Sequence, residues 1–435
     1  MNGKEILNFI DSEKTRELFI SLYGEDSVEI TRQRCRILIG ELQNESLFPK
    51  REFPETEREL RLFSVPGRTE LGGNHTDHNN GKVLAASIHL DAVAAVSARQ
   101  DKQVFFRSAG HRDIRVDLTD LSIREEEKGD TEALVRGIAA EFTARGTPVG
   151  GFTANAVNTV LTGSGLSSSA TVEVLIAKIF DNFYCGGKRD SLELAKIAQK
   201  AENVYFGKPC GLMDQTACAT GGAVAIDFQD LQNPGLKKIN FDPAAAGYAL
   251  CVVNTKGSHS DLTPDYAAIP AEMKAVAAFF GKSVLREVDE EIFMKSLPEL
   301  RKAAGDRAVL RALHFFGENK RVGAMLAAME GGMETYLALV RKSGDSSLEL
   351  LQNIYSPKNH ASQGLGLALA LTKNFLGGKG ACRVHGGGFA GTIQAYIPLQ
   401  KLENYKVFME ELFGKGALTV LRIRPMGAIE INFTI

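Results

Sequence analysis

Three glycine-broken segments carry the residue types that could do chemistry in this chain. The first is Gly163-Ser164-Gly165-Leu166-Ser167-Ser168-Ser169-Ala170. It stands between the β-branched run 152–160 and a stretch in which Val172, Leu175, Ile176, Ile179 and Phe183 recur at helical spacing. That spacing predicts a helix starting near Ala170. A glycine- and serine-rich loop ending at a helix start offers unpaired backbone N–H groups, small side chains and a positive dipole end to an anion. We read it as a phosphate cradle. It lacks the Gly-Lys-Ser/Thr ending of a Walker A loop, which argues against an ordinary P-loop nucleotide-binding fold.

The second segment, residues 66–81, packs Arg68, Glu70, Asn74, His75, Asp77, His78, Asn79 and Asn80 among glycines. Such a density of donors and acceptors suits a polyhydroxylated ligand, in which each hydroxyl needs a partner. A surface turn built from Asn, Asp and Gly remains open on these residues alone. His75 and His78 have no glutamate between them, so the helical metalloprotease pattern is absent. A helix carrying Leu192, Leu194, Ile197 and Ala198 is expected to run into Glu202 and stop by Gly207. Beyond it, Asp214 and Gln215 are placed in a glycine-flanked segment before a strand at 223–228, where helix capping is the alternative role. The third segment, Val384-His385-Gly386-Gly387-Gly388-Phe389-Ala390-Gly391, followed by a strand at 392–397, is either a tight hairpin or a place where two backbones or a ligand approach closely.

Elements to position these residues are legible around them. Residues 1–50 read as helices, with apolar positions Ile6, Phe9 and Ile10, then Leu18, Phe19 and Leu22. From Phe63 the chain alternates between short β-branched strands and alanine-rich helices, the pattern of a mixed fold. Residues 124–128 read as a solvated loop or helix start, and residues 343–347 as a surface connection. The 435 residues suffice for two domains, and a formal net charge of −2 gives no electrostatic case for nucleic acid or anionic membrane. No apolar run approaches bilayer-spanning length, and the charged start is not a signal peptide. Six scattered cysteines form no Cys-x-x-Cys pair and are read as buried or free thiols of a cytoplasmic protein.

Taken in order, these segments resemble the galactokinase family within the galactose, homoserine, mevalonate and phosphomevalonate (GHMP) kinases. Residues 66–77 are similar to the galactokinase signature, 163–170 to the group's phosphate loop and 386–391 to its third glycine motif. Cys210-Gly211-Leu212-Met213-Asp214-Gln215 matches a galactokinase segment, and Ser258-His259-Ser260 with Asp265-Tyr266 resembles the sugar-side loop beyond it. The resemblance implies an α+β, two-domain GHMP-kinase fold with the active site in the cleft. Its N-terminal α/β domain, residues 1–210, would carry a ribosomal-S5-domain-2-like sheet. Its C-terminal domain, residues 211–435, would be a ferredoxin-like α+β unit. It implies an ATP-dependent sugar 1-kinase that phosphorylates the anomeric hydroxyl of galactose, working with Mg²⁺ as a monomer without nucleic-acid or membrane partners. By resemblance, Gly163, Ser164, Gly165, Leu166, Ser167, Ser168 and Ser169 hold the ATP phosphates, and Ser169 and Glu202 bind the metal. Arg68 and Asp214 face the attacking hydroxyl, while Asn74, His75, Asp77, Gly211 and Tyr266 line the sugar pocket.

One departure bears on the substrate. The family run Arg-x-Asn-Leu-Ile-Gly-Glu-His reads here Arg68-Thr69-Glu70-Leu71-Gly72-Gly73-Asn74-His75, so the acid has moved from the family's glutamate position to Glu70. An amide at Asn74 can donate to a carboxylate that a glutamate would repel, which makes galacturonate an alternative substrate. Leu161 replaces a proline and Ala390 a glycine, without removing a donor side chain. A sugar sensor without catalysis is the rival from another class, although Ser169-Ala170, Arg68, Glu202 and Asp214 are all kept. A serine hydrolase lacks its Gly-x-Ser-x-Gly elbow.

Overall fold

Strand β1 (Leu60–Gly72) is buried along nearly its whole length, because alternate residues enter two different cores. Phe63 and Val65 point into one, and Leu60 and Leu62 into the other. The same alternation runs along β2 (Lys82–Ala98), with Ala92, Ala94 and Val96 facing the first core and Val93 and Ala95 the second. The structure is a computed structural model that describes residues 1–44, 59–161, 163–257 and 262–432.

Among the described residues the larger sheet has the order β12-β1-β2-β5-β3-β4, with β6 and β7 joined to it through β2. Its other strands are β3 (Gln103–Ser108), β4 (Ile114–Asp117), β5 (Phe152–Asn158), β6 (Ala223–Asp227), β7 (Gly235–Ile239) and β12 (Ile429–Ile431). Pairing is antiparallel except between β3 and β5. One face is covered by α1 (Gly3–Ile10), α2 (Glu13–Tyr23) and α3 (Val28–Gln43), the helices expected in residues 1–50. Asn2 and Glu5 form a reciprocal capping box at the start of α1. The opposite face carries α4 (Thr131–Ala144), α5 (Ser168–Tyr184), α6 (Ser191–Lys200) and α7 (Met213–Thr220).

A smaller antiparallel sheet, β11-β8-β10-β9, is built from β8 (Tyr248–Asn254), β9 (Ala381–His385), β10 (Thr392–Pro398) and β11 (Leu418–Leu421). Helices α13 (Gly364–Leu376) and α14 (Leu402–Phe413) cover one face through Leu365, Ala368, Tyr405 and Met409. Its other face packs Leu250, Val252 and Tyr396 against α11 (Asp306–Gly331) and α12 (Met333–Ser346). Between β8 and α11 lie α8 (Thr263–Phe279), α9 (Glu290–Lys295) and α10 (Leu297–Ala304). The α+β class is as expected. The larger sheet nevertheless continues past residue 210, since β6 pairs with β2 and β12 with β1.

One local expectation is corrected. Residues 343–347 form no surface connection: Ser343, Gly344, Ser346 and Ser347 are buried at the end of α12 and the turn after it. Tertiary packing against β9 overrides their loop-like composition, for a Cβ on Gly344 would lie 3.1 Å from the Arg383 Cβ. Asp214 sits in the first turn of α7, ahead of β6.

Candidate active site

The site begins with an irregularity in the β1–β2 pairing. The register shifts between Pro66 and Arg68, where Ile88, His89 and Leu90 of β2 stand opposite the single residue Gly67. A Cβ on Gly67 would stand 2.8 Å from the Leu166 carbonyl oxygen, a close approach that only glycine allows. This brings Arg68 against the glycine–serine loop. Its backbone N–H donates to Leu166 O at 3.1 Å, and its guanidinium donates to Gly165 O. The remaining donors of Arg68 form a fork on Asp214, Nε to Oδ1 at 2.8 Å and Nη2 to Oδ2 at 2.7 Å.

Asp214 also accepts from the Ser167 hydroxyl at 2.5 Å, and about a third of its side chain, 34%, stays accessible. Burial alone would raise its carboxyl. Arg68, the Ser167 hydrogen bond and Lys208 outweigh that and hold it below the ordinary aspartate range. The loop thus meets the paired ions at the start of α5. The helix begins at Ser168, two residues earlier than the apolar spacing predicts, after Ser167 in a left-handed conformation with φ 63°. Ser168 accepts from Asn158 at 2.9 Å, and Ser169 and Gly163 are exposed.

Residues of the second segment converge on the third glycine motif, which is a hairpin turn between β9 and β10 as well as a close approach. Three successive carbonyls of that turn are engaged. Asn74 Nδ2 donates to Gly386 O at 2.8 Å, His75 Nε2 to Gly387 O at 2.9 Å and the Tyr266 hydroxyl to Gly388 O at 2.9 Å. Because a carbonyl only accepts, His75 carries its proton on Nε2, and its buried Nδ1 is an acceptor with no partner among the described residues. Burial first, then His78, lowers the His75 imidazole to about 3. Asp77 lies against Gly211, where any Cβ would overlap its carboxylate. The expected sugar-side residues Ser258, His259 and Ser260 lie outside the described residues.

Asn74 differs from its expected place on the pocket lining. It is fully buried, and its two amide hydrogens go to Gly386 O and Glu70, at 2.8 and 3.2 Å. Its oxygen accepts from Asn353 at 3.0 Å. Glu70 in turn is paired with buried Arg383 at 2.7 Å. The relocated acid and amide therefore bond to each other behind the glycine turn.

Glu202 lies in a π-helical turn, Ala201–Phe206, that continues α6 up to Gly207. Gln215 Nε2 donates to both Glu202 and Glu173, at 2.9 Å each, and Lys208 reaches Glu202 at 3.0 Å. Glu173 Oε1 and Gln215 Oε1 are buried without a hydrogen-bond partner among the described residues. The two carboxylates share the Gln215 amide nitrogen, and burial and the Glu202 charge raise the Glu173 carboxyl well above its ordinary range. The orphaned Glu173 Oε1 beside Glu202 offers hard oxygens of the kind a divalent cation takes, although no group of three or more acidic, histidine or cysteine side chains gathers for a metal among the described residues. Sequence reasoning missed Glu173, whose only signal is an acid inside the apolar run Val172–Leu175 of α5. It also missed Arg383 and Asn353, for which no local signal exists.

The GHMP kinases N terminal domain matches residues 133–222, and the galactokinase galactose-binding signature matches residues 50–98. A galactokinase of Streptomyces coelicolor is 32% identical over 370 residues, covering 83% of this chain and 91% of that protein. The chain belongs to the galactokinase family. A crystal structure of Lactococcus lactis galactokinase complexed with galactose has a TM-score of 0.73 at 23% identity, covering 85% of this chain and 95% of that one. Methanococcus jannaschii mevalonate kinase has a TM-score of 0.58 at 14% identity, covering 85% and 99%. These two likenesses establish the fold, and the galactokinase family makes the chain a phosphotransferase acting on a sugar hydroxyl. No helix among the described residues is long and apolar enough to cross a membrane.

Proposed function

We propose that this chain transfers the γ-phosphoryl group of ATP to the anomeric hydroxyl of galactose. The observation that carries the reading is the Arg68–Asp214 fork, held against the glycine–serine loop by Ser167. The loop 163–169 would hold the ATP phosphates through its N–H groups and serine hydroxyls. His75, Asp77 and Tyr266 would meet the sugar, with Gly211 giving Asp77 room and His75 Nδ1 accepting from one of its hydroxyls. Asn74 supports the turn from behind. Glu202, with Ser169 at the loop end and Glu173 nearby, would hold Mg²⁺, which supplies charge neutralisation on the phosphates.

In the transfer, the anomeric oxygen forms a bond to the γ-phosphorus, the bond from that phosphorus to the β–γ bridging oxygen breaks, and ADP leaves. Asp214 accepts a hydrogen bond from the attacking hydroxyl and takes its proton as the new bond forms. The lowered basicity of Asp214 suits a loose transition state, in which the nucleophile needs little activation before attack. Arg68 keeps Asp214 ionised and oriented. Galacturonate is disfavoured because both amide hydrogens of Asn74, the donors that alternative needs, are already bonded within the protein. The free thiols suit a reducing cytoplasm.

The test is Asp214→Asn, which keeps shape and removes the proton acceptor. Turnover of galactose should fall by about 10²–10⁴ while ATP still binds. Turnover within a few fold of wild type would remove Asp214 from the reaction.

A further inference from the structure

His385, just ahead of the third glycine motif, is buried on β9, directly opposite Thr392 of β10. Along β9, Cys382 and Val384 turn into the apolar core, so Arg383 and His385 turn the other way, towards β1 and the loop 163–167. Proton positions around the ring follow from counting. The Thr392 hydroxyl donates its single hydrogen to Ser164 O at 2.8 Å. Its 3.1 Å contact with His385 Nδ1 therefore requires a hydrogen on Nδ1. Burial first, then Arg68 and Arg383, keep the imidazole neutral, so Nε2 is an acceptor. It takes the Thr69 hydroxyl at 3.0 Å, and Thr69 accepts from Gln394 at 2.8 Å. The chain Gln394, Thr69, His385, Thr392 runs in one direction and ends on a carbonyl of the loop.

That carbonyl is the first of three turned into the protein. Ser164 O is held by Thr392, Gly165 O by the Arg68 guanidinium and Leu166 O by the Arg68 backbone N–H. In a trans peptide the N–H of the next residue points opposite to the carbonyl. Fixing these three oxygens inward therefore turns the N–H groups of Gly165, Leu166 and Ser167 outward. None of those three N–H groups bonds to another described residue. An anion cradle requires this arrangement, set before the anion arrives.

We infer that His385 is a positioning residue for ATP: acting through Thr392 on the Ser164 carbonyl, it orients the loop's N–H groups for the phosphates. The inference rests on the kinase reading and adds to it a residue that touches neither substrate. Three variants test it: Thr392→Val, His385→Leu and His385→Asn, in which the amide can still donate to Thr392. Steady-state kinetics give KM for ATP and kcat, and calorimetry gives the affinities for galactose and for ADP.

Thr392→Val and His385→Leu should each raise KM for ATP and weaken ADP by about tenfold, the scale of one lost hydrogen bond. Galactose affinity should stay within twofold, and His385→Asn should recover most of the loss. Because both residues act on one carbonyl, the double variant His385→Leu/Thr392→Val should be no worse than Thr392→Val alone. An unchanged ATP KM in Thr392→Val, or multiplied effects in the double variant, overturns the inference. Should His385→Leu fail to fold, Thr392→Val decides alone. Failure of the kinase reading looks different: the wild-type chain itself would neither bind ADP nor phosphorylate galactose, and the inference would fall with it.

Discussion

Side chains at this site do their work by being held in one protonation state. Asp214 is kept ionised by Arg68 and Ser167, and His75 is kept neutral by burial. The two have opposite consequences in acid. An imidazole near 6.5 in the unfolded chain and about 3 in the fold takes up its proton first when unfolded. The fold therefore loses stability as pH falls from about 6.5 towards 3. In His75→Asn this part of the acid dependence should disappear, and asparagine tolerates the left-handed φ of 57° at this position. Thermal unfolding midpoints across that pH range measure it, and a slope unchanged from wild type would contradict the assignment.

Elements converge here because glycines let backbones meet. Gly67 admits the loop to β1, Gly211 admits Asp77, and Gly387 admits the Tyr266 ring, where a Cβ would stand 2.5 Å from a ring carbon. Gly211→Ala would push Asp77 aside while leaving the Arg68–Asp214 fork in place. KM for galactose is expected to rise at least tenfold while KM for ATP moves by less than twofold, as separate titrations of the two substrates would read. Equal changes in both would mean that the segment acts on the whole cleft.

Over the whole molecule, one buried acid joins three parts of the chain. Asp91 accepts from Tyr23 of α2 at 2.6 Å, from Arg34 of α3 at 2.8 Å and from Arg424 near the last strand at 3.2 Å. These cations and hydroxyls outweigh burial and keep it below the ordinary aspartate range. The Asp91 backbone N–H donates to the Thr159 hydroxyl at 3.0 Å, just ahead of the glycine–serine loop. Asp91→Asn would leave Arg424 and Arg34 short of their counter-ion. Loss of one partner of a buried pair costs about 3–5 kcal/mol, so urea unfolding should show a loss of that size. A loss under about 1 kcal/mol would mean that the cluster is well solvated.

The residues proposed to meet ATP and sugar stand out in the sequence because their chemistry is local. A glycine–serine loop before a helix, and a dense run of polar side chains among glycines, announce themselves within a dozen positions. The helices of residues 1–50 and the strand–helix alternation followed from periodicity, which is a local property too. Tertiary structure alone decided what stands behind those residues. Ser343 and Ser347 read as loop, yet they are buried against Glu318 and Asn74 at 2.7 and 3.3 Å. Asn74 read as a ligand donor, yet partners 279 and 312 positions away use its amide. Glu70 found Arg383 across 313 positions, and His385 found Thr69 across 316. Which donor reaches which acceptor inside a protein depends on how sheets and helices pack, and no spacing along the chain encodes that geometry.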